Sequence, residues 1–228
     1  MKQAVIFCGG KGLRLGKITS QTPKPLLRFN GRPFLDNIIF QFSRFNVKKI
    51  LLLCSYKSQY FVRKYHNNKI FGCEVKCFVE KRPSGTAGAL RNAKHLLEKE
   101  FFLSNGDTLI NFNILELKKS LKTNSLMCSA ILKRRTIDKR FGGVKVFKKN
   151  YISFKNNSSN YLNTGFSLVK KKLIYKINRN SFNFEKDFLS LKNKKYLNCC
   201  ILDKKYNYFI DIGVPKDLKK TTKFLKKF

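Results

Sequence analysis

Short apolar runs alternate with amphipathic stretches along the first half of the chain. The runs are rich in β-branched residues and are typical of buried strands, whereas the stretches between them carry apolar residues at helical spacing. The predicted strands are 3–8, 49–54, 74–79 and 100–104, and the predicted helices are 33–45, 58–65 and 87–97. This βαβα order predicts an α/β fold built on a doubly wound, mostly parallel, Rossmann-like sheet.

From about residue 126 the pattern changes to strand-rich segments. The predicted strands there are 126–132, 144–147, 151–154 and 165–169, and Pro215 opens a predicted C-terminal helix. No linker, internal repeat or low-complexity stretch interrupts the sequence. We therefore expect a single domain over 1–228. Residues 1–125 should bind one substrate, and residues 126–228 should bind the second substrate and include the C-terminal helix.

A glycine-rich loop follows the first predicted strand. It is Cys8-Gly9-Gly10-Lys11-Gly12-Leu13-Arg14-Leu15, and Lys24 comes shortly after it. Glycines at the carboxyl edge of a parallel sheet let backbone N–H groups approach phosphate oxygens, and Arg14 and Lys24 add positive charge. The loop is not a P-loop, because its glycine spacing is too short, and Leu15 stands where the dinucleotide fingerprint has its third glycine. The pattern predicts a phosphate site of another type.

Composition and charge argue against several classes of protein, among them nucleic-acid-binding, membrane and disulfide-rich proteins. The formal net charge of +36 suits a phosphate-rich partner, but the lysines are spread along the whole chain and no nucleic-acid-binding signature accompanies them. No stretch approaches the roughly 20 apolar residues of a membrane span, and strand-like sequence begins at Gln3 without a signal peptide. Seven cysteines are an odd number for a disulfide framework. We expect a cytoplasmic protein that binds small molecules, no membrane and no specific nucleic acid, and a homo-oligomer stays open.

Two aspartates are placed as ligands of a magnesium ion would be. Asp107 follows the predicted strand 100–104, and Asp211 is flanked by apolar residues in 208–215, where a solvated loop acid is not expected. Magnesium takes one or two carboxylates and completes its octahedron with waters and phosphate oxygens. Asp107 alone also fits an ordinary turn, since Asn-Gly-Asp is a common turn sequence. The second acid favours the metal site.

A segment of small residues opens the predicted helix after the strand 74–79. Around Ser84, Gly85 and Thr86, backbone N–H and hydroxyl groups are free to contact the edge of a nucleobase. The alternative is an ordinary helix N-terminus capped by Ser84 or Thr86. Glu80 precedes the segment, and its carboxylate can accept from both N1–H and the 2-amino group of guanine or be a solvated surface charge.

These motifs, in this order, resemble those of the sugar-1-phosphate nucleotidylyltransferases, also called NDP-sugar pyrophosphorylases. The resemblance covers essentially the whole chain and includes Gly-Gly-x-Gly-x-Arg-Leu, Pro-Lys, the small-residue segment, Asn-Gly-Asp and Phe-Ile-Asp-Ile-Gly-Val-Pro. Within that family the sequence looks most like the short bacterial D-glycero-α-D-manno-heptose 1-phosphate guanylyltransferases. The residues that carry this finer resemblance are 8–10, 55–57, 141–144, 182–188 and the segment around Asp211.

The resemblance implies a Mg²⁺-dependent in-line displacement at the α-phosphorus of GTP by a sugar 1-phosphate, with release of pyrophosphate. The implied catalytic residues are Arg14, Lys24, Asp107 and Asp211, and the two aspartates are also the implied metal ligands. The implied nucleotide-binding residues are Cys8, Gly9, Gly10, Gly12, Glu80, Ser84, Gly85 and Thr86. The implied sugar-phosphate-binding residues are Gly142, Gly143, Lys155, Asn163 and Glu185.

One position departs from the family pattern. Relatives carry a Glu-Lys pair after the Ser-Phe that matches Ser153-Phe154, and that lysine binds the sugar phosphate. Here Lys155-Asn156-Asn157 follows, and Asn157, which stands at the lysine position, cannot replace its charge. Either Lys155 takes over with altered geometry or sugar-phosphate binding is weaker. Three functions stay open: the heptose guanylyltransferase, the same chemistry on mannose or glucose 1-phosphate with GTP, UTP or dTTP, and a catalytically degenerate nucleotide-binding domain.

Overall fold

The structure is a computed structural model that describes residues 2–133, 143–155, 160–177, 182–184, 194–202 and 208–225. It has the α/β fold that the sequence predicts, with a large, mostly parallel central sheet. The chain forms two compact units, of which the first is Met1–Pro83, Ser104–Asn111 and Phe209–Phe228 and the second is Ser84–Leu103 and Phe112–Tyr208. The single domain with halves 1–125 and 126–228 stays a prediction.

The described elements are named in chain order. The strands are β1 (Gln3–Phe7), β2 (Arg28–Phe29), β3 (Arg32–Pro33), β4 (Lys49–Cys54), β5 (Asn68–Ile70), β6 (Cys73–Val79), β7 (Glu100–Asn105), β8 (Thr108–Asn111), β9 (Met127–Lys133), β10 (Gly143–Val146), β11 (Ile152–Lys155), β12 (Tyr161–Lys170), β13 (Leu197–Leu202) and β14 (Tyr208–Asp211). The α-helices are α1 (Lys17–Gln21), α2 (Phe34–Ser43), α3 (Ser58–Tyr65), α4 (Gly85–Asn92), α5 (Leu115–Ser120) and α6 (Pro215–Leu225).

In the first unit, β1, β4 and β6 lie side by side and run parallel, and β5 adds an antiparallel edge strand. Consecutive residues 4–6 and 50–54 are all buried, so both faces of β1 and β4 are covered, which explains their unbroken apolar runs. Helices α2 and α3 contribute large buried aromatic side chains, among them Phe34, Phe42 and Phe61. Because parallel strands share one carboxyl edge, the segments after Phe7 and Cys54 emerge together.

In the second unit, the long strand β12 pairs antiparallel with β9 and β10. Strand β13 runs parallel to β9, and β11 runs antiparallel to β10. A register shift between Asn163 and Ser167 bends the pairing of β12 with β9, and Gly165 inside it has a φ of 74°. The ring of Phe166 packs against those of Phe102 and Phe112, with centroids 6.1 and 5.3 Å away.

Most predicted elements are confirmed, and two bounds are corrected. The helix predicted at 87–97 is α4, which already begins at Gly85 and gives way after Asn92 to a tighter 3-10 turn at Lys94–Leu96. The strand predicted at 165–169 is the second part of β12, whose first part contains residues typical of a turn. Strand β13 and helix α5 were not predicted. Within the described residues no helix is both long and apolar enough to cross a bilayer.

Candidate active site

The glycine loop leaves the carboxyl end of β1 with its first residue buried. Cys8 is 1% exposed, and its N–H donates to the carbonyl of Leu53 on the neighbouring strand at 2.8 Å. Burial raises the pKa of the Cys8 thiol well above its ordinary value, an effect that the nearby Asp107 charge reinforces. The Cys8 thiol is therefore neutral and packed in the interior, and a role of this residue in nucleotide binding stays a prediction. Gly10 is exposed, so its backbone is open to a ligand.

Arg14 lies on a short 3-10 turn, Leu13–Leu15, flanked by Gly12 and Gly16. The hydroxyl of the buried Thr19 lies 3.0 and 3.3 Å from the carbonyl oxygens of these two glycines. Gly12 has a φ of 67°, where a residue with a Cβ would be strained. The Arg14 side chain reaches the segment after β14, because a Cβ placed on Gly213 would lie 3.5 Å from its Nη2 atom.

Lys24 and Asp107 form an ion pair. The Lys24 Nζ atom lies 2.8 Å from Oδ2 of Asp107, and the two side chains are 10% and 28% exposed. Lys24 stands on a 3-10 turn at Lys24–Leu26 that Pro23 opens, while Asp107 follows β7. The Gly106 N–H donates to the carbonyl of Phe7 at 2.9 Å, which ties the end of β7 to the end of β1. The glycine loop and the first predicted metal ligand are thus neighbours.

Asp211, near the C-terminal end of the sequence, lies close to Asp107, Lys24 and Arg14. Its strand β14 pairs with β8, and the Ile212 N–H donates to the carbonyl of Asp107 at 3.0 Å. One carboxylate oxygen accepts from the Gly213 N–H at 2.8 Å. Burial, and then the negative charge of Asp107, raises the pKa of the Asp211 carboxyl to about 6, against the lowering effect of this hydrogen bond and of nearby cations. The structure thus brings all four predicted catalytic residues together.

The two aspartates suit a magnesium ion. They are the pair of hard oxygen donors that this ion takes from a protein when waters and phosphates supply its other ligands. The raised pKa of Asp211 next to Asp107 also indicates mutual repulsion that a cation would relieve. Within the described part of the chain no cluster of three or more His, Cys, Asp or Glu side chains is placed to hold a metal ion.

Glu80 lies beside the glycine loop. Its N–H donates to the carbonyl of Cys54 at 3.0 Å, at the carboxyl end of β4. A Cβ placed on Gly9 would lie 3.7 Å from Oε2 of Glu80. The predicted base-reading carboxylate and the predicted phosphate-binding backbone are therefore adjacent.

In the second unit, Ser84, Gly85 and Thr86 form the start of α4, and their binding of a nucleotide stays a prediction. Ser84 occupies the N-cap position without a capping side-chain hydrogen bond. The Thr86 hydroxyl accepts from the N–H of Phe184 at 3.0 Å. Gly85 has a φ of 69°, and a Cβ there would overlap the carbonyl of Phe182. The chain at 182–184 therefore packs directly on the start of α4.

The described residues predicted to bind the sugar phosphate lie on adjacent strands of the second unit. Gly143 on β10 is paired with Lys155 on β11 and with Leu162 on β12, next to Asn163. The Asn163 side-chain oxygen accepts from the Gly165 N–H at 3.2 Å. The remaining two predicted residues, Gly142 and Glu185, lie outside the described residues.

Sequence reasoning assigned no role to two side chains that contact helix α1, those of Tyr56 and Lys57. The Tyr56 hydroxyl donates to the carbonyl of Thr19, and the Lys57 ammonium donates to that of Gln21. Their position immediately after β4, at the same sheet edge as the glycine loop, was the available signal.

Comparison with known proteins identifies the family. The nucleotidyl transferase family matches residues 3–227. The D-glycero-alpha-D-manno-heptose 1-phosphate guanylyltransferase of Campylobacter jejuni is 34% identical over 221 residues, covering 94% of this chain and 96% of that protein. The enzyme of the same name from Aneurinibacillus thermoaerophilus is 30% identical over 234 residues, covering 99% of each.

Solved structures agree with the sequence comparison. HddC from Yersinia pseudotuberculosis, in complex with GMP-PN, has a TM-score of 0.84 at 27% identity, and the match covers 99% of this chain and 100% of HddC. UTP-bound UGPase from Acinetobacter baumannii has the same TM-score at 13% identity, which shows a shared fold. This chain, matched over residues 3–227, therefore belongs to the nucleotidyl transferase family.

Proposed function

We propose that the protein is a sugar-1-phosphate guanylyltransferase that joins GTP and D-glycero-α-D-manno-heptose 1-phosphate into GDP-heptose and pyrophosphate. The observation that carries the chemistry is the convergence of Asp107 and Asp211 with Lys24 and Arg14 at the end of the glycine loop. The substrate assignment is supported by two full-length relatives named for this reaction and by HddC, whose structure contains GMP-PN.

The reaction is a displacement at phosphorus. An oxygen of the sugar phosphate attacks the α-phosphorus of GTP, the bond from that phosphorus to the bridging oxygen breaks, and pyrophosphate leaves with the bonding electron pair. No bond to the protein forms, so positioning and charge neutralisation supply the catalysis. We expect the reaction to take place in the cytoplasm.

Each charged residue has a role that its position supports. Asp107 and Asp211 would hold Mg²⁺, which supplies positive charge to the α-phosphate and the sugar phosphate. Arg14 is exposed on its turn and neutralises the departing pyrophosphate. Lys24 has its ammonium fixed by Asp107 and neutralises the reacting phosphates.

On the binding side, the N–H groups of Gly9, Gly10 and Gly12 donate to the triphosphate. Glu80, beside Gly9, accepts from the guanine base. Gly143, Lys155 and Asn163 bind the sugar phosphate from their adjacent strands.

The test is pyrophosphate release with Mg²⁺ from GTP, UTP, dTTP, CTP and ATP, each paired with heptose and hexose 1-phosphates. We expect turnover with GTP and the manno-heptose phosphate. Turnover with another pair, such as mannose 1-phosphate, would keep the chemistry and overturn the substrate assignment. A folded protein that binds GTP without releasing pyrophosphate would instead be a nucleotide-binding domain, and Asp107→Asn serves as the inactive control.

A further inference from the structure

The segment after β4 is hydrogen-bonded to the start of the glycine loop and to helix α1, which follows that loop. At the start of the loop, the Tyr56 N–H donates to the carbonyl of Gly9 at 3.5 Å. In α1, the carbonyl of Thr19 accepts from the Tyr56 hydroxyl at 3.3 Å. Tyr56 therefore contacts the chain on both sides of the 3-10 turn that carries Arg14.

Lys57 uses its charge on backbone carbonyls. Its ammonium donates to the carbonyl of Ser20 and, at 2.9 Å, to that of Gln21. These are the last two residues of α1, whose carbonyls lack partners inside the helix and carry the negative end of its dipole. The ammonium also lies 5.6 and 5.8 Å from the ring centroids of Tyr56 and Tyr60. The ammonium of Lys57 is thus engaged with two carbonyl groups and two aromatic rings of the protein.

The backbone of Lys57 supports the same conclusion. Its φ and ψ are 52° and 41°, in the left-handed region that side-chain-bearing residues rarely adopt. Such a conformation persists when surrounding contacts hold it, and it clusters at functional sites. Here it directs the side chain back over the loop while α3 begins at the next residue, Ser58.

Thr19 connects Tyr56 to the turn that carries Arg14. Its carbonyl accepts from Tyr56, and its buried hydroxyl lies within hydrogen-bonding distance of the carbonyls of Gly12 and Gly16. Those two glycines enclose the 3-10 turn on which Arg14 stands. A displacement at Thr19 would therefore move both ends of that turn.

We propose that Tyr56 and Lys57 are positioning residues that fix the segment 9–22, which comprises most of the glycine loop and helix α1, and, through Thr19, the place of Arg14. They contact no reacting atom themselves. The inference rests on the proposed function in assuming that this loop holds the triphosphate. A misplacement of about 1 Å in such a group lowers a rate by as much as roughly a hundredfold.

The first test measures the loop without any substrate. Amide hydrogen exchange is followed by mass spectrometry in Lys57→Met, in Tyr56→Phe and in Lys76→Met, which removes an exposed charge from β6 as the matched control. We expect faster exchange in peptides that cover 9–22 for the first two variants only, and Lys57→Arg, which keeps donors, to restore protection. Unchanged exchange in Lys57→Met would overturn the proposal, whatever the enzyme's substrates prove to be.

The second test is kinetic. In Lys57→Met we expect kcat to fall about tenfold to a hundredfold while KM for GTP changes less, because a misplaced Arg14 affects the departing pyrophosphate more than the bound ground state. In the background of Arg14→Ala the same substitution should have almost no further effect. Multiplying effects would show that Lys57 acts independently of Arg14 and would overturn the proposal. A wild-type protein without turnover would count against the proposed function alone, because hydrogen exchange still decides the positioning role.

Discussion

The ammonium of Lys24 lies 2.8 Å from the carboxylate of Asp107, and the pair is shielded from water on the lysine side. The two residues are 83 positions apart in the chain. Removing either partner would take away the opposite charge that the other contacts in a partly buried place, so each helps to fix the position of the other.

Loss of a charged group at this site should nearly abolish turnover. For Arg14→Ala, Lys24→Ala and Asp107→Asn we expect pyrophosphate release to fall roughly a hundredfold or more, on the order of 3 kcal/mol in the transition state. The effects of Lys24→Ala and Asp107→Asn should not add, because the two groups act as a pair. Rates are compared at equal folded fraction by circular dichroism. Wild-type rates in a folded variant would remove that residue from the mechanism.

The metal-free protein should gain stability from Asp211→Asn at neutral and alkaline pH. Burial and Asp107 raise the pKa of this carboxyl from 3.8 to about 6, so the native state binds its proton more tightly than the unfolded chain. The stabilising contribution of the protonated group is therefore full below pH 3.8 and lost as the pH rises through 6. At about pH 8 the variant should be more stable by about 1 to 2 kcal/mol, after allowance for solvent screening.

Urea unfolding in the presence of a chelator measures this difference, which should shrink steadily as the pH falls from 6 toward 4. With Mg²⁺ present, wild-type activity should decline over the same range, since protonation removes a metal ligand. A difference that does not vary with pH would show that Asp211 does not titrate there.

Gly106→Ala should destabilise the end of β7. A Cβ at this position would lie 2.6 Å from the carbonyl oxygen of Phe7 and 3.2 Å from both Sγ of Cys8 and Cγ of Pro25. We expect a loss of about 1 to 3 kcal/mol in the free energy of unfolding, because backbone and packed side chains must shift. Gly10→Ala is the control for this unfolding experiment, since nothing lies within 4 Å of its added Cβ. Equal stability of the two variants would contradict the close packing.

Base selection should depend on Glu80. Glu80→Gln keeps the size of the side chain and removes an acceptor that pairs with guanine, so the ratio of kcat/KM for GTP to that for UTP should fall at least about tenfold. The matched control is Glu74→Gln, on the exposed side of β6. If the preference for GTP survives in the first variant, another group reads the base.

Sugar-phosphate affinity should depend on Lys155, which stands two positions before Asn157, where the sequence resemblance implies a lysine. In Lys155→Met we expect KM for the sugar 1-phosphate to rise about tenfold or more, with KM for GTP unchanged, since a charged hydrogen bond to phosphate is lost. Lys148→Met, in an exposed turn, is the matched loss of charge. Asn157→Lys should lower the same KM. Parallel changes in both KM values would assign Lys155 a structural role.

The elements that carry the site follow from local sequence. The unbroken apolar run of β1 ends where the glycines begin, and β7 ends at Asn105 immediately before Gly106-Asp107, so both predicted segments lie where the pattern placed them. The apolar neighbours of Asp211 likewise indicated an acid that is not freely solvated, which agrees with its raised pKa.

The contacts between these segments could not be predicted from sequence. No local periodicity links Lys24 to Asp107, and nothing near Thr86 in the chain indicates that its hydroxyl accepts from Phe184, 98 positions away. The same holds for β12, whose Asn163 and Gly165 resemble a turn because the register shift there needs such residues. These contacts and this register shift are set by segments that are distant in the sequence and meet only in the folded protein.

The burial of Lys24 separates it from the rest of the protein's positive charge. Among the described residues it is the only charged residue that is buried, in a chain with 49 lysines and arginines. At an ionic strength of 0.1 M the field of the exposed cations fades within about 10 Å, whereas a shielded pair is screened much less. Added salt should therefore slow the encounter with polyanionic substrates while leaving the contact between Lys24 and Asp107 in place.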